Sequence, residues 1–344
     1  MEKKVILNGM DEFELQNYCI NLNLPRFHGN QLFKWLYKNN NQDINQMSNI
    51  PKSLKQEISN NALIKLLSVK IKSESQIDKT TKFLLQTLDN KSIETVSMID
   101  NGRHTVCLSS QIGCSVDCDF CATGKMGIIR NLKVGEIIEQ LIIVKKNITS
   151  PITNIVFMGM GEPFLNYSNV IKSCKILCDL NAFNLSAKRI TISTAGILPK
   201  IDLYIEEQHK YKLAISLNAS NDKVRNNIMP INKKWNLEKL INSAKKYSFS
   251  NSTPIMFEYV LLKNLNDSKK DANELAEILN GLNCKINLIP FNEILGKYNR
   301  PDNETINQFA QILNKYHNLR VLVRWSKGED IKAACGQLAT ENES

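Results

Sequence analysis

Gly113-Cys114-Ser115-Val116-Asp117-Cys118-Asp119-Phe120-Cys121 sets three cysteines in one short stretch with the spacing C-x3-C-x2-C. One loop thus offers three thiolates, one short of the four that a closed zinc site or a cysteine-only iron–sulfur cluster takes. Regular zinc modules pair cysteines as C-x2-C with a second pair downstream, and no such pair follows. A zinc site closed by a distant fourth cysteine is the competing reading. A cluster held by only three cysteines leaves one iron open to a small molecule, which makes the missing ligand informative.

The chain around this loop has 344 residues, 42% of them hydrophobic, enough for one large α/β domain with a smaller attachment. No run approaches the ~18 apolar residues of a membrane helix. The start, Met1-Glu2-Lys3-Lys4 and then the charged Asp11 to Glu14, has no signal-peptide core, so a cytoplasmic protein with no membrane partner is expected. Nine cysteines are an odd number without the density of a disulfide scaffold, which favours reduced thiols and a metal cluster. The net charge of +10 suits a polyanionic partner, although a Lys- and Asn-rich composition also makes a chain basic.

Periodicity divides the chain into three parts. Residues 1–65 read as a helical accessory domain, with helices over Asp11 to Leu22, Gly29 to Lys38 and the stretch after Pro51. Residues 66–100 turn to alternation, Lys82 to Thr87 and Ser92 to Ile99 with Asp89-Asn90 between them, which predicts a β-hairpin linker region. Residues 101–344 alternate strand and helix. Strands are expected at Thr105 to Ser109, Asn154 to Met158, Arg189 to Ser193, Lys212 to Leu217, Ile255 to Leu261, Lys285 to Ile289 and Arg320 to Val323. Helices are expected near Val134 to Lys146, Tyr167 to Leu180, Leu237 to Tyr247, Ala272 to Leu279 and Thr305 to Tyr316. About six β/α units are too few for a closed eight-stranded barrel, so the expected fold class is α/β, a partial (β/α)6 barrel with its site at the strand carboxyl ends.

Chemistry gathers at those ends. Phe157-Met158-Gly159-Met160-Gly161-Glu162-Pro163 offers backbone that a ligand can approach closely and a carboxylate able to accept from an ammonium group. Ser193, Ser216 and Asn218, and Asn292 after Pro290-Phe291, bring hydroxyls and amides to the same rim, although Ser and Asn also end strands for turn reasons. Cys19, Cys174, Cys178 and Cys284 sit in apolar surroundings and read as packing. Cys107 lies in the strand that feeds the cysteine loop, and Cys335 in a loop-like tail before Gly336.

The three-cysteine spacing, with Phe120 before the last thiol, resembles the radical S-adenosylmethionine (SAM) superfamily. Glu94-Thr95-Val96, Cys107-Leu108-Ser109-Ser110-Gln111-Ile112-Gly113-Cys114, Gly159-Met160-Gly161-Glu162-Pro163, Pro230-Ile231-Asn232 and Ala333-Ala334-Cys335-Gly336-Gln337-Leu338 together resemble the RlmN/Cfr family of radical SAM RNA adenine methyltransferases, closest to its RlmN branch. The helical start is similar to the family's RNA-binding accessory domain.

The resemblance implies a 4Fe-4S cluster on Cys114, Cys118 and Cys121, and SAM contacts at Gly161, Glu162, Ser193, Ser216, Leu217, Asn218 and Asn292. Asn218 departs from the His usual there. The resemblance further implies methylation of adenine carbon 2 in 23S rRNA and tRNA, with Cys335 carrying the methyl group, Cys107 resolving a protein–RNA thioether by disulfide formation, and Glu94 accepting a proton. The expected reductant is a protein such as flavodoxin or ferredoxin, and the expected state is a monomer. The rival readings are carbon-8 methylation, as in the Cfr branch, and a non-catalytic iron–sulfur RNA-binding protein.

Overall fold

In a computed structural model describing residues 4–340 apart from 251–252, 295 and 317–318, ten strands of the described residues pair into one sheet. They are β1 (Leu67–Glu74), β2 (Lys79–Thr87), β3 (Ser92–Asp100), β4 (Arg103–Cys107), β5 (Asn154–Phe157), β6 (Ile190–Thr194), β7 (Lys212–Ser216), β8 (Ile255–Leu261), β9 (Cys284–Pro290) and β10 (Leu319–Val323). Their order in space is their order in the chain. Pairing is antiparallel from β1 to β4 and parallel from β4 to β10.

A parallel step needs a crossover, and helices Val134–Asn147, Tyr167–Cys178, Leu198–Glu206, Leu237–Ser250, Lys269–Ile278 and Asn303–Asn314 supply the six. The result is a partial (β/α)6 barrel closed off by a seventh parallel strand. Ile190, Ile192, Leu213, Ile215, Phe257, Ile286 and Leu288 are fully buried, so these strands appear in the sequence as short apolar runs.

Two elements differ from expectation. Helix Leu198–Glu206 was not anticipated because Pro199 reads as punctuation; it stands in the first turn, where its missing N–H has no partner to lose. The 66–100 region holds three strands instead of a two-stranded hairpin, and through β3 and β4 it continues the barrel sheet. β1 is an edge strand exposed over most of its length, with Val69 and Ile71 in water, so it has no buried face to mark it in the sequence.

The first helices span Glu12–Asn21, Phe27–Phe33 and Lys52–Asn61, the second running into one π-helical turn at Lys34–Lys38. A short parallel pair, Val5–Ile6 with Ala62–Leu63, joins the two ends of this segment. It docks on the barrel where Gly9, at φ +94°, meets Gly135: a Cβ on Gly9 would lie 2.3 Å from the Gly135 nitrogen.

Beside that contact Glu139, 1% exposed, accepts from Asn8 Nδ2 (3.2 Å), Gln42 Nε2 (3.0 Å) and the Leu66 N–H (2.6 Å). One carboxylate therefore ties both ends of the helical segment to the first barrel helix. Among the described residues no helix is long and apolar enough to cross a membrane.

Burial pushes Glu139 up to about 7 from an ordinary value of 4.5. The folded chain thus keeps a proton that the unfolded chain releases, and the linked stability is full below 4.5 and lost as pH rises through about 7, about 3 kcal/mol in all. Glu139→Gln is expected to flatten this part of the profile of melting temperature between pH 5 and 8. Glu139→Ala, which strands three buried donors, is expected to lower unfolding free energy by roughly 2–4 kcal/mol in urea titrations.

Candidate active site

The chain leaves β4 in a long loop whose strands Gln111–Gly113 and Ile128–Asn131 pair antiparallel and carry the three cysteines between them. The loop is fixed at several points. Cys114 N donates to Gly127 O (2.7 Å), Asp119 N to Ile228 O (2.9 Å) and Ala122 N to Gly336 O (2.8 Å), while Asp119 pairs with Lys125 and with Lys297 (2.6 Å). Val116 and Phe120 pack with Met229 and Phe291 in a small apolar cluster of their own.

Cys114, Cys118 and Cys121 all line one cavity of about 900 Å³, open solvent at its mouth included. Burial pushes Cys114 up to about 12 and Cys118 well above the usual thiol value, and the neighbouring thiols add to both shifts. Three converging thiols of this kind favour thiolates only when a cation compensates them. Three thiols facing one cavity are the donor set a 4Fe-4S cubane takes, one on each of three corners, with the fourth iron left to another ligand.

The same cavity is lined by Gly161, Glu162, Ser193, Ser216 and Asn218, from the ends of β5, β6 and β7. Gly161, at φ +96°, lets the backbone pass so close to the cysteine hairpin that a Cβ would lie 2.4 Å from Gln111 Cβ. Glu162 N donates to Gln111 Oε1 (2.8 Å), and its carboxylate accepts from Phe164 N (2.9 Å) and Ala195 N (2.7 Å). Burial raises this carboxyl to about 7. Asn218 adopts φ +59°, a conformation Asn tolerates well; its Oδ1 accepts from Val260 N (2.9 Å) and its Nδ2 faces Met229 Sδ (3.3 Å). Leu217 is fully buried and outside the cavity lining, and Asn292 donates through Nδ2 to Cys335 O (2.9 Å).

Cys335 also lines this cavity and a second, narrow chamber, about 500 Å³ with the open solvent at its mouth included, shared with Cys107, Met98, Met158, Arg324 and Trp325. Both thiols are free. Burial first and the Cys335 charge second push Cys107 up to about 12, and the Arg324 guanidinium opposes this.

A model of the Radical SAM superfamily matches residues 108–276, and a model of the ribosomal RNA large subunit methyltransferase N-terminal domain matches residues 5–64. The probable dual-specificity RNA methyltransferase RlmN of Pseudothermotoga lettingae is 42% identical over 321 residues, 93% of each chain. The dual-specificity RNA methyltransferase RlmN of Buchnera aphidicola is 42% identical over 346 residues, 98% of this chain and 94% of that one. The chain belongs to the RlmN family. Its backbone superposes on a crystal structure of a radical SAM methyltransferase from Sphaerobacter thermophilus with a TM-score of 0.94 and 39% identity, over 97% of this chain and 99% of that one. Membership of the radical SAM superfamily carries with it a 4Fe-4S cluster and SAM as general cofactors.

In this RlmN-family chain Glu94 is 4% exposed, whereas an alternating strand by itself suggested a solvent-facing carboxylate. It pairs with Lys82 Nζ (2.8 Å) and accepts from Ala339 N (3.0 Å), and it lines neither cavity. Burial raises its pKa and Lys82 opposes the shift. Glu94 is one of several contacts that clasp the Cys335 segment to the antiparallel ribbon. Asp330 accepts from Ser75 Oγ (2.8 Å) and Gln76 N (2.9 Å), Asp78 from Gly328 N (3.0 Å), and Lys82 donates to Lys332 O (3.1 Å).

At the site, sequence reading missed two buried charged side chains. Glu258 is the lone charge in the apolar run of β8, a signal that was there to be used; it lines the cysteine cavity, accepts from Asn287 Nδ2 (2.9 Å), and its Oε2 has no hydrogen-bond partner among the described residues. Arg225 is 1% exposed in a helix whose sequence reads as polar surface. It donates to the carbonyls of Ala195 (2.8 Å), Ser216 (3.1 Å) and Leu217 (2.9 Å) and to Asn232 Oδ1 (2.9 Å), binding the ends of β6 and β7 together. Arg225→Lys keeps the charge and loses the planar fork, so it should strand buried carbonyls and lower unfolding free energy by roughly 2–4 kcal/mol in urea titrations.

Proposed function

We propose that this chain is a radical SAM methyltransferase that places a methyl group on carbon 2 of an adenosine in 23S rRNA and in tRNA, using two SAM molecules, an S-methylated Cys335 and a transient Cys107–Cys335 disulfide. The observation that carries the reading is the place of Cys335, which lines both the cavity of the three cysteine thiols and the chamber of Cys107. Its relatives' name and the superfamily match support the same reading.

Carbon 2 of adenine is electron-poor and has no lone pair, so it cannot displace the SAM methyl group as a nucleophile. A thiolate can, and Cys335 is the thiol that reaches the SAM side. Cys114, Cys118 and Cys121 would hold the 4Fe-4S cluster, which when bound would supply the electron that cleaves SAM to a 5′-deoxyadenosyl radical. Gly161 and the carboxylate of Glu162 would receive the amino acid end of SAM, with Ser193, Ser216 and Asn218 around the rest, while Leu217 and Asn292, outside the cavity lining, would act by holding the wall behind it. Asn218 has its amide engaged with Val260 and Met229, so its contribution is shape and backbone.

Transfer of a hydrogen atom from the Cys335 methyl group to that radical would give 5′-deoxyadenosine and leave a carbon radical that adds to carbon 2 and links protein to RNA. The adduct must then give up the carbon-2 proton and one electron, which would return to the oxidised cluster; Glu94 is the proposed proton acceptor, a role that requires it to release both Ala339 N and Lys82 Nζ and to turn toward the cavity. Cys107 then attacks the Cys335 sulfur, the C–S bond electrons return to the adenine product, and a disulfide remains for a flavodoxin- or ferredoxin-type system to reduce. Burial keeps Cys107 protonated at rest, and this protects it from premature pairing with Cys335.

Anaerobic reconstitution should give about four iron and four sulfide per chain, with a spectrum that changes on adding SAM. Tightly bound zinc in their place would overturn the cluster assignment. In single-turnover reactions Cys335→Ala should give neither methylated protein nor methylated RNA. Cys107→Ala should accumulate a nuclease-sensitive protein–RNA adduct on denaturing gels. Normal methylation by Cys107→Ala would remove the resolving role, and 8-methyladenosine in the digested product would move the chain to the carbon-8 reaction.

A further inference from the structure

Outside the thiol chamber lies a depression of about 500 Å³ lined by Ile77, Asp78, Arg300, Trp325, Ser326 and Glu329. Trp325 and Ser326 line the chamber as well, so the depression adjoins the space that holds Cys107 and Cys335. Trp325 is 44% exposed and Ile77 78% exposed. Two large apolar side chains left in water in one depression beside a reactive chamber mark an interaction site more than an isolated exposed residue does.

The indole is also fixed. Arg300 Cζ sits over its ring at 5.4 Å, and the same guanidinium pairs with Glu329 (3.2 Å). Arg324, the residue before it, is anchored by its N–H to Leu288 O (2.8 Å) at the end of β10. The opposite wall, at the β1–β2 turn, is tied to this one through Asp78 and Gly328 (3.0 Å). Arg300 and Lys327 are each paired with an acid, Glu329 and Asp100. The depression therefore offers an aromatic face beside an acid, Asp78, whose Oδ1 has no hydrogen-bond partner among the described residues, and its lining cation, Arg300, is already paired.

An adenine whose carbon 2 reaches the Cys335 sulfur must leave its stack and enter the chamber. The neighbouring nucleotide then stays at the mouth, with one face of its base bared. A rigid indole backed by a guanidinium is a replacement for that lost stacking partner. We infer that Trp325, braced by Arg300, is the stacking platform for the nucleobase adjacent to the target adenosine. The inference rests on the RNA methyltransferase reading.

The full-length, cluster-loaded protein and an anticodon stem-loop containing the target adenosine provide the test, with Kd read by fluorescence anisotropy. Trp325→Ala should weaken binding roughly 5- to 100-fold, the range for losing one base–aromatic stack, and Trp325→Tyr should recover most of it. An abasic site at one position flanking the adenosine should weaken binding to the natural chain by a similar factor and add little to the loss in Trp325→Ala. Unchanged affinity in Trp325→Ala, no recovery with Tyr, or fully multiplicative losses at both flanking positions would overturn the platform. Slower reduction by flavodoxin with unchanged RNA affinity would overturn it too and assign the surface to the electron donor. If the natural chain, given SAM and reductant, methylates no RNA, the underlying reading falls and the platform with it.

Discussion

Parallel pairing from β4 to β10 obliges each of these strands to deliver its carboxyl end to the same rim. Most of the chemistry in this chain follows from that constraint. The cysteine loop leaves β4, the Gly-Glu turn leaves β5, the Ser and Asn positions leave β6 and β7, Glu258 sits in β8, and Asn292 follows β9. Residues scattered from Cys107 to Asn292 meet because each occupies the same place in its own strand–helix unit. Arg225 then binds the ends of β6 and β7 by holding carbonyls of both, and rigidity at the rim comes from a buried cation and not from the sheet alone.

The Cys335 segment obeys a different rule. It has little regular structure and borrows its position from elsewhere: Asn292 and Ala122 hold its centre, Thr123 takes Leu338 O, and the ribbon of β1 to β3 clasps both its flanks. A thiol that lines two cavities is carried here on backbone held by separate hydrogen bonds and not on a strand. Each bond of this kind is a modest net term, so exchanging one of them for another partner is within reach of a ligand's binding energy.

The sequence made the parallel strands legible because both of their faces are covered, which leaves apolar runs such as Ile190-Thr191-Ile192 and Lys285-Ile286-Asn287-Leu288-Ile289. The cysteine loop was legible because ligand spacing is local. β1 was not, since a polar edge strand and a loop share the same composition, and neither was Leu198–Glu206, where a first-turn proline resembles a breaker. Arg225 was invisible for a deeper reason: its partners are backbone carbonyls up to thirty residues away, and carbonyls carry no sequence signal. Glu94 could be picked out by its motif, but burial against Lys82 and Ala339 depends on a tail more than two hundred residues downstream.

The clasp also orders events during synthesis. The loop bearing Cys114, Cys118 and Cys121 leaves the ribosome long before Gly336 and Leu338, whose carbonyls later take Ala122 N–H and the Thr123 hydroxyl. Until those last residues emerge, the side of the thiol cavity that Cys335 and Gly336 will wall off stays open. A nascent chain therefore presents its three thiols through an opening wider than the finished protein has, and the tail that carries Cys335 is the piece that shuts it.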